Sequence, residues 1–295
     1  MVNSITEALV IQFQDQVHLE AGQGKSRLRG LIKEVSVTGN QYAYESLKRG
    51  TLPTEITARF SDTVAQERVH SRREIKMRDY AETLTLEEFD DLQTLIDPAR
   101  EYAASVASVM MNQYDKLAIE AAVGSVKTGR NFGTTVSYTA DGGSTIAANS
   151  TGLTYAKLLQ VKENFINNEV GVDMDEEILL LVTGKQHSDM MQEVELTSGD
   201  FRRDSVIENG KITSALGMKI ITYGTGDTNF LNISGGVRDC IAMSNRAVCV
   251  GVNKDIGVKI NERPDKNNAQ QIQARFFLGA TRAEGKLVQK VQCAE

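Results

Sequence analysis

The stretch from Pro98 to Val123 leaves this chain little choice but a helix. Asp97 is a helix-capping residue type, and Pro98 has the fixed φ that suits a first helical position. No Gly or Pro follows until Gly124, which supplies the stop. Tyr102, Val106, Met110, Tyr114, Leu117 and Ala121 recur on one face. At ~1.5 Å per residue the helix is roughly 39 Å long, about twice an ordinary one.

What precedes it is unlike a self-sufficient domain. Residues 4 to 19 read as a short amphipathic helix, with a Ser4/Glu7 capping box and Ile5, Leu9, Phe13 and Val17 on one face. Residues 25 to 50 show little periodicity and read as an extended arm. Residues 51 to 80 read as a long β-hairpin with an outbound strand at 55–60 and a tip at 62–66. In Glu74-Ile75-Lys76-Met77-Arg78, charged and apolar residues alternate as in a two-faced strand. So thin a hairpin needs another surface to lie on.

After the helix, residues 125 to 152 are rich in Gly, Ser, Thr and Asn. A hairpin is expected there, with strands at 134–138 and 144–148 about Asp141-Gly142-Gly143. From 153 the pattern alternates helix and strand. Helices are expected at 154–168, 185–195 and 200–209. Strands are expected at 178–182, which is wholly apolar, and at 218–223, 240–243, 248–250, 258–260, 272–278 and 287–291. This reads as an α/β unit flanked by a second sheet.

Charge is segregated along the chain. The 33 Lys and Arg against 39 Asp and Glu give a net charge of −6. Residues 81 to 97 hold six acids and no base, so the whole imbalance sits there. Bulk charge therefore does not draw the chain to nucleic acid. Two basic clusters stand out: Lys25, Arg27, Arg29 and Lys33 without an intervening acid, and Arg68, Arg72, Arg73, Lys76 and Arg78 around Glu74 alone. They are either solvated surface or contacts to an acidic surface or to DNA. Glu87, Glu88, Asp90 and Asp91 form a complementary acidic set.

Catalytic signatures are missing from the sequence. Gly24-Lys25-Ser26 ends like a phosphate loop, but Leu19 stands where its first glycine belongs, and Leu179 fails Gly184-Lys185 in the same way. His18, His70 and His187 fall in separate segments, and there is no GxSxG, HExxH or GxGxxG. Catalytic, cofactor-binding and metal sites are all expected to be absent. Cys240, Cys249 and Cys293 lack metal or disulfide spacing, and Cys240 and Cys249, in apolar strand-like segments, read as buried thiols. No apolar run approaches the ~20 residues of a membrane span. The opening lacks a basic region followed by an apolar core, so a protein made in the cytoplasm is expected.

Arm, thin hairpin, acidic connection, long helix, α/β unit and C-terminal strands come in a familiar order. The order resembles the major capsid fold of tailed phages and herpesviruses, the Hong Kong ninety-seven type. Local wording agrees: Asn3-Ser4-Ile5-Thr6-Glu7-Ala8-Leu9, His70-Ser71-Arg72-Arg73, Met77-Arg78-Asp79-Tyr80, Leu95-Ile96-Asp97-Pro98 with Glu101-Tyr102-Ala103, and Leu278-Gly279-Ala280-Thr281-Arg282 are similar to one phage-capsid family.

The resemblance implies an α+β capsid subunit. Its parts would be an N-terminal arm (1–50), an extended loop (51–80), a peripheral domain (81–152) with spine helix 98–123, an axial domain (153–246), and C-terminal strands (247–295) returning to the peripheral domain. It implies hexamers and pentamers in an icosahedral virion shell, built in the bacterial cytoplasm around double-stranded DNA. The implied partners are copies of itself, a separate scaffolding protein, a portal protein, a decoration protein in some relatives, and DNA held non-specifically. Arg68, Arg72, Arg73, Lys76, Arg78, Glu87, Glu88, Asp90 and Asp91 become candidates for contacts between subunits. Lys25, Arg27, Arg29 and Lys33 become candidates for arm contacts or for facing DNA. With only about 50 residues before the hairpin, a fused scaffold and proteolytic trimming are not expected. The alternatives are a nanocompartment shell protein of the same fold, told apart by its enzyme cargo, and a cytoplasmic α/β enzyme, which would need a convergent polar site.

Overall fold

The computed structural model describes residues 24–48, 50, 52–53, 55, 65, 67–86, 98–171, 176–193, 207–208, 211–226, 229–266 and 268–295. The helix expected at 4–19 lies outside them. So do nearly all of the expected hairpin tip and residues 87–97.

The early strands are β1 (Lys33–Ser36), β2 (Gln41–Leu47), β3 (His70–Lys76) and β4 (Arg78–Leu86), followed by helix α1 (Pro98–Val123). Next come β5 (Val126–Thr128), β6 (Thr134–Val136), β7 (Ser144–Ile146), α2 (Tyr155–Asn167), β8 (Ile178–Thr183) and α3 (Gly184–Gln192). Short strands β9 (Ile207–Glu208), β10 (Lys211–Ile212) and β11 (Ser214–Ala215) lead to β12 (Met218–Tyr223). The chain closes with β13 (Ile233–Ser234), β14 (Val237–Ser244), β15 (Val248–Arg263), β16 (Ala269–Arg282) and β17 (Val288–Ala294).

The chain divides into two compact units. The larger, Arg27–Arg78, Tyr114–Asn253 and Leu278–Glu295, is built on a seven-stranded sheet in the order β11-β12-β8-β14-β17-β7, with β13 beside β14. β8 runs parallel to β12 and antiparallel to β14. Every residue of β8 is buried, so its unbroken apolar run serves two packed faces. One face holds Leu180, Val182, Cys240, Ala242, Val291 and Cys293 against Leu158, Val161 and Phe165 of α2. These three helical residues follow the 3–4 spacing of one helix face and are fully buried. Burying each is worth roughly 1.5–3 kcal/mol. At the edge of this core the Lys157 ammonium donates to the carbonyls of Ala148, Thr151, Gly152 and Gln292 at 2.9–3.0 Å. It thereby ties the loop before α2 to β17.

The smaller unit includes Asp79–Gln113 and Lys254–Phe277. Val106 and Met110 of α1 are buried there, as are Ile272, Ala274 and Phe276 of β16. Gln273 Nε2 donates to Thr83 Oγ1 of β4 at 3.3 Å. Tyr102, assigned to the helix's apolar face, is exposed, and the buried line runs instead through Val106, Met110, Tyr114, Ala118 and Ala122.

Several expectations change. Residues 25–50 are not a free arm from Arg27 on: Leu28, Ile32 and Val37 are core, and β1 pairs in parallel with β15. The partner of β3 is β2, from Gln41↔Lys76 to Leu47↔His70, while all but Glu55 of the outbound strand expected at 55–60 lies outside the described residues. Alternation marked β3 as a strand but carried no information on its partner. The strands expected at 134–138 and 144–148 do not pair: β6 joins β5 and β7 joins β17, because the turn after Tyr138 sends them to different sheets. Residues 207 and 208, expected to be helical, pair with 211 and 212. β17 lies within the seven-stranded sheet beside β14, so that sheet does not end at 246.

Candidate functional site

A four-stranded sheet, β2-β3-β5-β6, carries three of the basic residues singled out in the sequence, Arg72, Arg73 and Lys76. Burial changes abruptly along β3: His70 and Arg72 are exposed and Ser71 half-buried, whereas Arg73, Glu74 and Ile75 are buried. Beyond this root the β2–β3 ribbon exposes Leu47 and Val69 at 56% and 59%.

Arg73 is 6% exposed, which removes it from the candidates for contact between subunits. Its Nη1 and Nη2 donate to the two Asp141 carboxylate oxygens at 2.8 and 2.6 Å. Nη1 also reaches the Arg282 carbonyl at 3.1 Å. Arg282, fully buried, donates from Nε to Asp141 Oδ2 at 2.8 Å and from Nη1 to the carbonyls of Ala122 and Gly124 at 3.0 and 2.7 Å. Two guanidiniums share one carboxylate, and the carbonyls ending α1, the negative end of its dipole, offset the surplus positive charge. Burial pushes the Asp141 carboxyl up, but the hydrogen bonds from Arg73 and Arg282 outweigh it and hold the group below the usual range.

The remaining candidates separate by environment. Arg72 is exposed and pairs with Glu45 across the ribbon. Arg68, Lys76 and Arg78 are exposed, Lys76 and Arg78 flanking the buried Met77 as the alternation predicts. Glu87, Glu88, Asp90 and Asp91 lie outside the described residues. In the other cluster, Arg27 stacks over Tyr223, Arg29 over Tyr114 and Lys33 over Tyr44, at 5.3, 5.9 and 5.2 Å from the ring centres. Such cation–π contacts hold these residues to their own fold. Lys25 is exposed.

An open groove of about 900 Å³ lies at the carboxyl ends of β8 and β12, among Arg27, Leu31, His187, Lys219 and Tyr223. Among the described residues no carboxylate lines it, and His187 Nε2 accepts the Ile212 N–H at 3.2 Å. Burial and the Asp115 carboxylate push the Tyr223 hydroxyl far up, leaving it a neutral donor to Asp115 at 3.1 Å. Its described lining brings no nucleophile and base together. Among the described residues no three His, Cys, Asp or Glu side chains gather where one metal ion could be held. Nor is any described helix long and apolar enough to cross a membrane.

What the geometry offers is an exposed ribbon gripped at its root, and the same architecture occurs in phage heads. The capsid structure of cyanophage P-SCSP1u is similar at TM-score 0.73 and 12% identity, over 99% of this chain and 94% of that one. The acid-stable capsid of Helicobacter pylori bacteriophage KHP30 is similar at TM-score 0.72 and 12% identity, over 100% and 99%. A structure from Mycobacterium phage Che8 is similar at TM-score 0.72 and 14% identity, over 96% and 97%. The fold is that of phage capsid subunits. The chain itself belongs to the phage capsid protein family, whose model matches residues 5–295. It is a major capsid protein, a structural component of the virion, and a nanocompartment shell is not favoured. No curated protein matches the sequence.

Proposed function

We propose that the subunit joins into hexamers and pentamers of an icosahedral head around double-stranded DNA and catalyses no reaction of its own. The family match over residues 5–295 carries the reading. In this reading α1 is the spine of the peripheral domain, and the seven-stranded sheet is the core of the axial domain. The β2–β3 ribbon lies across a neighbour. Exposure of Leu47 and Val69 on a two-stranded ribbon supports this, since so thin an element needs a surface. Arg68, Arg72, Lys76 and Arg78 supply charge for contacts between subunits, and Lys25 faces DNA or a neighbouring arm. A separate scaffolding protein, a portal protein and, on the outside, a decoration protein complete the partners.

Electron microscopy of the expressed protein, with and without its genomic neighbours, tests the proposal. Closed shells of uniform diameter are expected, at the latest when the scaffolding protein is supplied. Particles no larger than a dimer under both conditions would overturn it.

A further inference from the structure

The junction between Arg73, Asp141 and Arg282 does more than fill the core. Arg73 is the outermost buried residue of β3: toward the tip lie half-buried Ser71 and exposed Arg72 and His70. Arg73 and Glu74 are neighbours on a strand and so point to opposite faces. On one face Arg73 grips Asp141 with both terminal nitrogens. On the other, Glu74 accepts from Gln41 Nε2 at 2.9 Å and faces the Lys127 ammonium at 3.8 Å. The sheet joins ribbon to body through one rung, Arg73↔Thr128, with Gly129 N donating to the Arg72 carbonyl at 3.2 Å. Gly279 packs so closely beneath the root that a side chain there would run into the Lys76 carbonyl. Asp141 is fixed in turn by Arg282, which is anchored to the end of α1.

We propose that Arg73 is a positioning residue that sets the direction in which the ribbon leaves the body, and hence the curvature at which subunits join. The proposal rests on the capsid reading. A bidentate guanidinium–carboxylate pair fixes orientation as well as distance, which a single contact from lysine does not. Because Asp141 is braced by Arg282 against the carbonyls of Ala122 and Gly124, the ribbon takes its direction from the end of α1. The exposed Arg72–Glu45 pair further out joins the two strands of the ribbon and does not tie it to the body.

The test compares Arg73→Lys and Asp141→Glu with Val161→Ala, a core truncation in α2 away from the junction. Each variant is assembled beside the wild type, with thermal melts, shell diameters by electron microscopy, and amide hydrogen exchange of the free subunit. Arg73→Lys and Asp141→Glu should speed exchange in 41–47 and 70–72 by about tenfold or more, leaving 178–183 protected. Their shells should be malformed or broadly spread in diameter, whereas Val161→Ala, at equal or lower melting temperature, closes at wild-type diameter. Wild-type diameters from both junction variants would overturn the proposal. So would loss of folding in both, which would make the junction a support of the fold and not of the ribbon's direction. A wild type that forms no shells would instead sink the capsid reading, and the exchange data would still decide whether Arg73 holds the ribbon.

Discussion

Asp141 carries the most consequential single charge among the described residues, because two buried guanidiniums depend on it. Replacing it by Asn leaves both without a counter-charge and should cost about 3–5 kcal/mol at neutral pH. Its folded pKa is depressed, so its stabilisation is present above the unfolded value of ~3.9 and is lost as pH falls through the folded value. The gap in melting temperature between wild type and Asp141→Asn should therefore be widest near neutrality and close in acid. A gap that stays constant from neutral pH to about pH 3 would show that the charge is not the cause. The thiols give a second residue-scale expectation. Cys240, Cys249 and Cys293 are fully buried, and burial pushes the Cys249 thiol up to about 11. Iodoacetamide should modify none of them in the folded subunit and all of them in denaturant, as read by mass spectrometry.

At the scale of elements, α2 and the ribbon are opposites. α2 buries a full stripe, so truncating Phe165 to Ala should cost about 3–5 kcal/mol in chemical denaturation. The ribbon exposes the described residues farthest from its root, and the proposed role of its charges is contact with a neighbouring subunit. Reversing Arg68 and Arg78 to Glu should leave the subunit's stability within about 0.5 kcal/mol, because both are exposed. Shell yield should nevertheless fall sharply, since each exposed pair contributes only ~0.2–1 kcal/mol but recurs at every symmetry-related contact. Undiminished yields at low and physiological salt alike would dismiss charge as the holding force. Arg73 does not belong in that experiment, because reversing it would set two carboxylates against each other inside the fold.

At the scale of the whole chain, charge segregation, a thin ribbon and an unusually long helix are awkward features for a monomer and ordinary ones for a shell subunit. A capsid subunit works by joining copies of itself. That is why no motif search of the sequence finds a site, and why family likeness over residues 5–295 says more than any local pattern.

Local physics decided much of this in advance. The proline at Pro98 and the stop at Gly124 bound α1 as observed, and the apolar run at 178–182 became a doubly buried strand. The 3–4 spacing of Leu158, Val161 and Phe165 marked the buried face of α2. Each of these signals depends on residues within a turn or two of one another. Tertiary structure alone decided that β3 pairs with β2, that β6 and β7 part to different sheets, and that Arg73 turns inward. A period of two says that a face is buried, but not which chain segment buries it. An arginine likewise reads the same in sequence whether its carboxylate is supplied by water-exposed neighbours or by Asp141, 68 residues on, braced by Arg282 at a separation of 141.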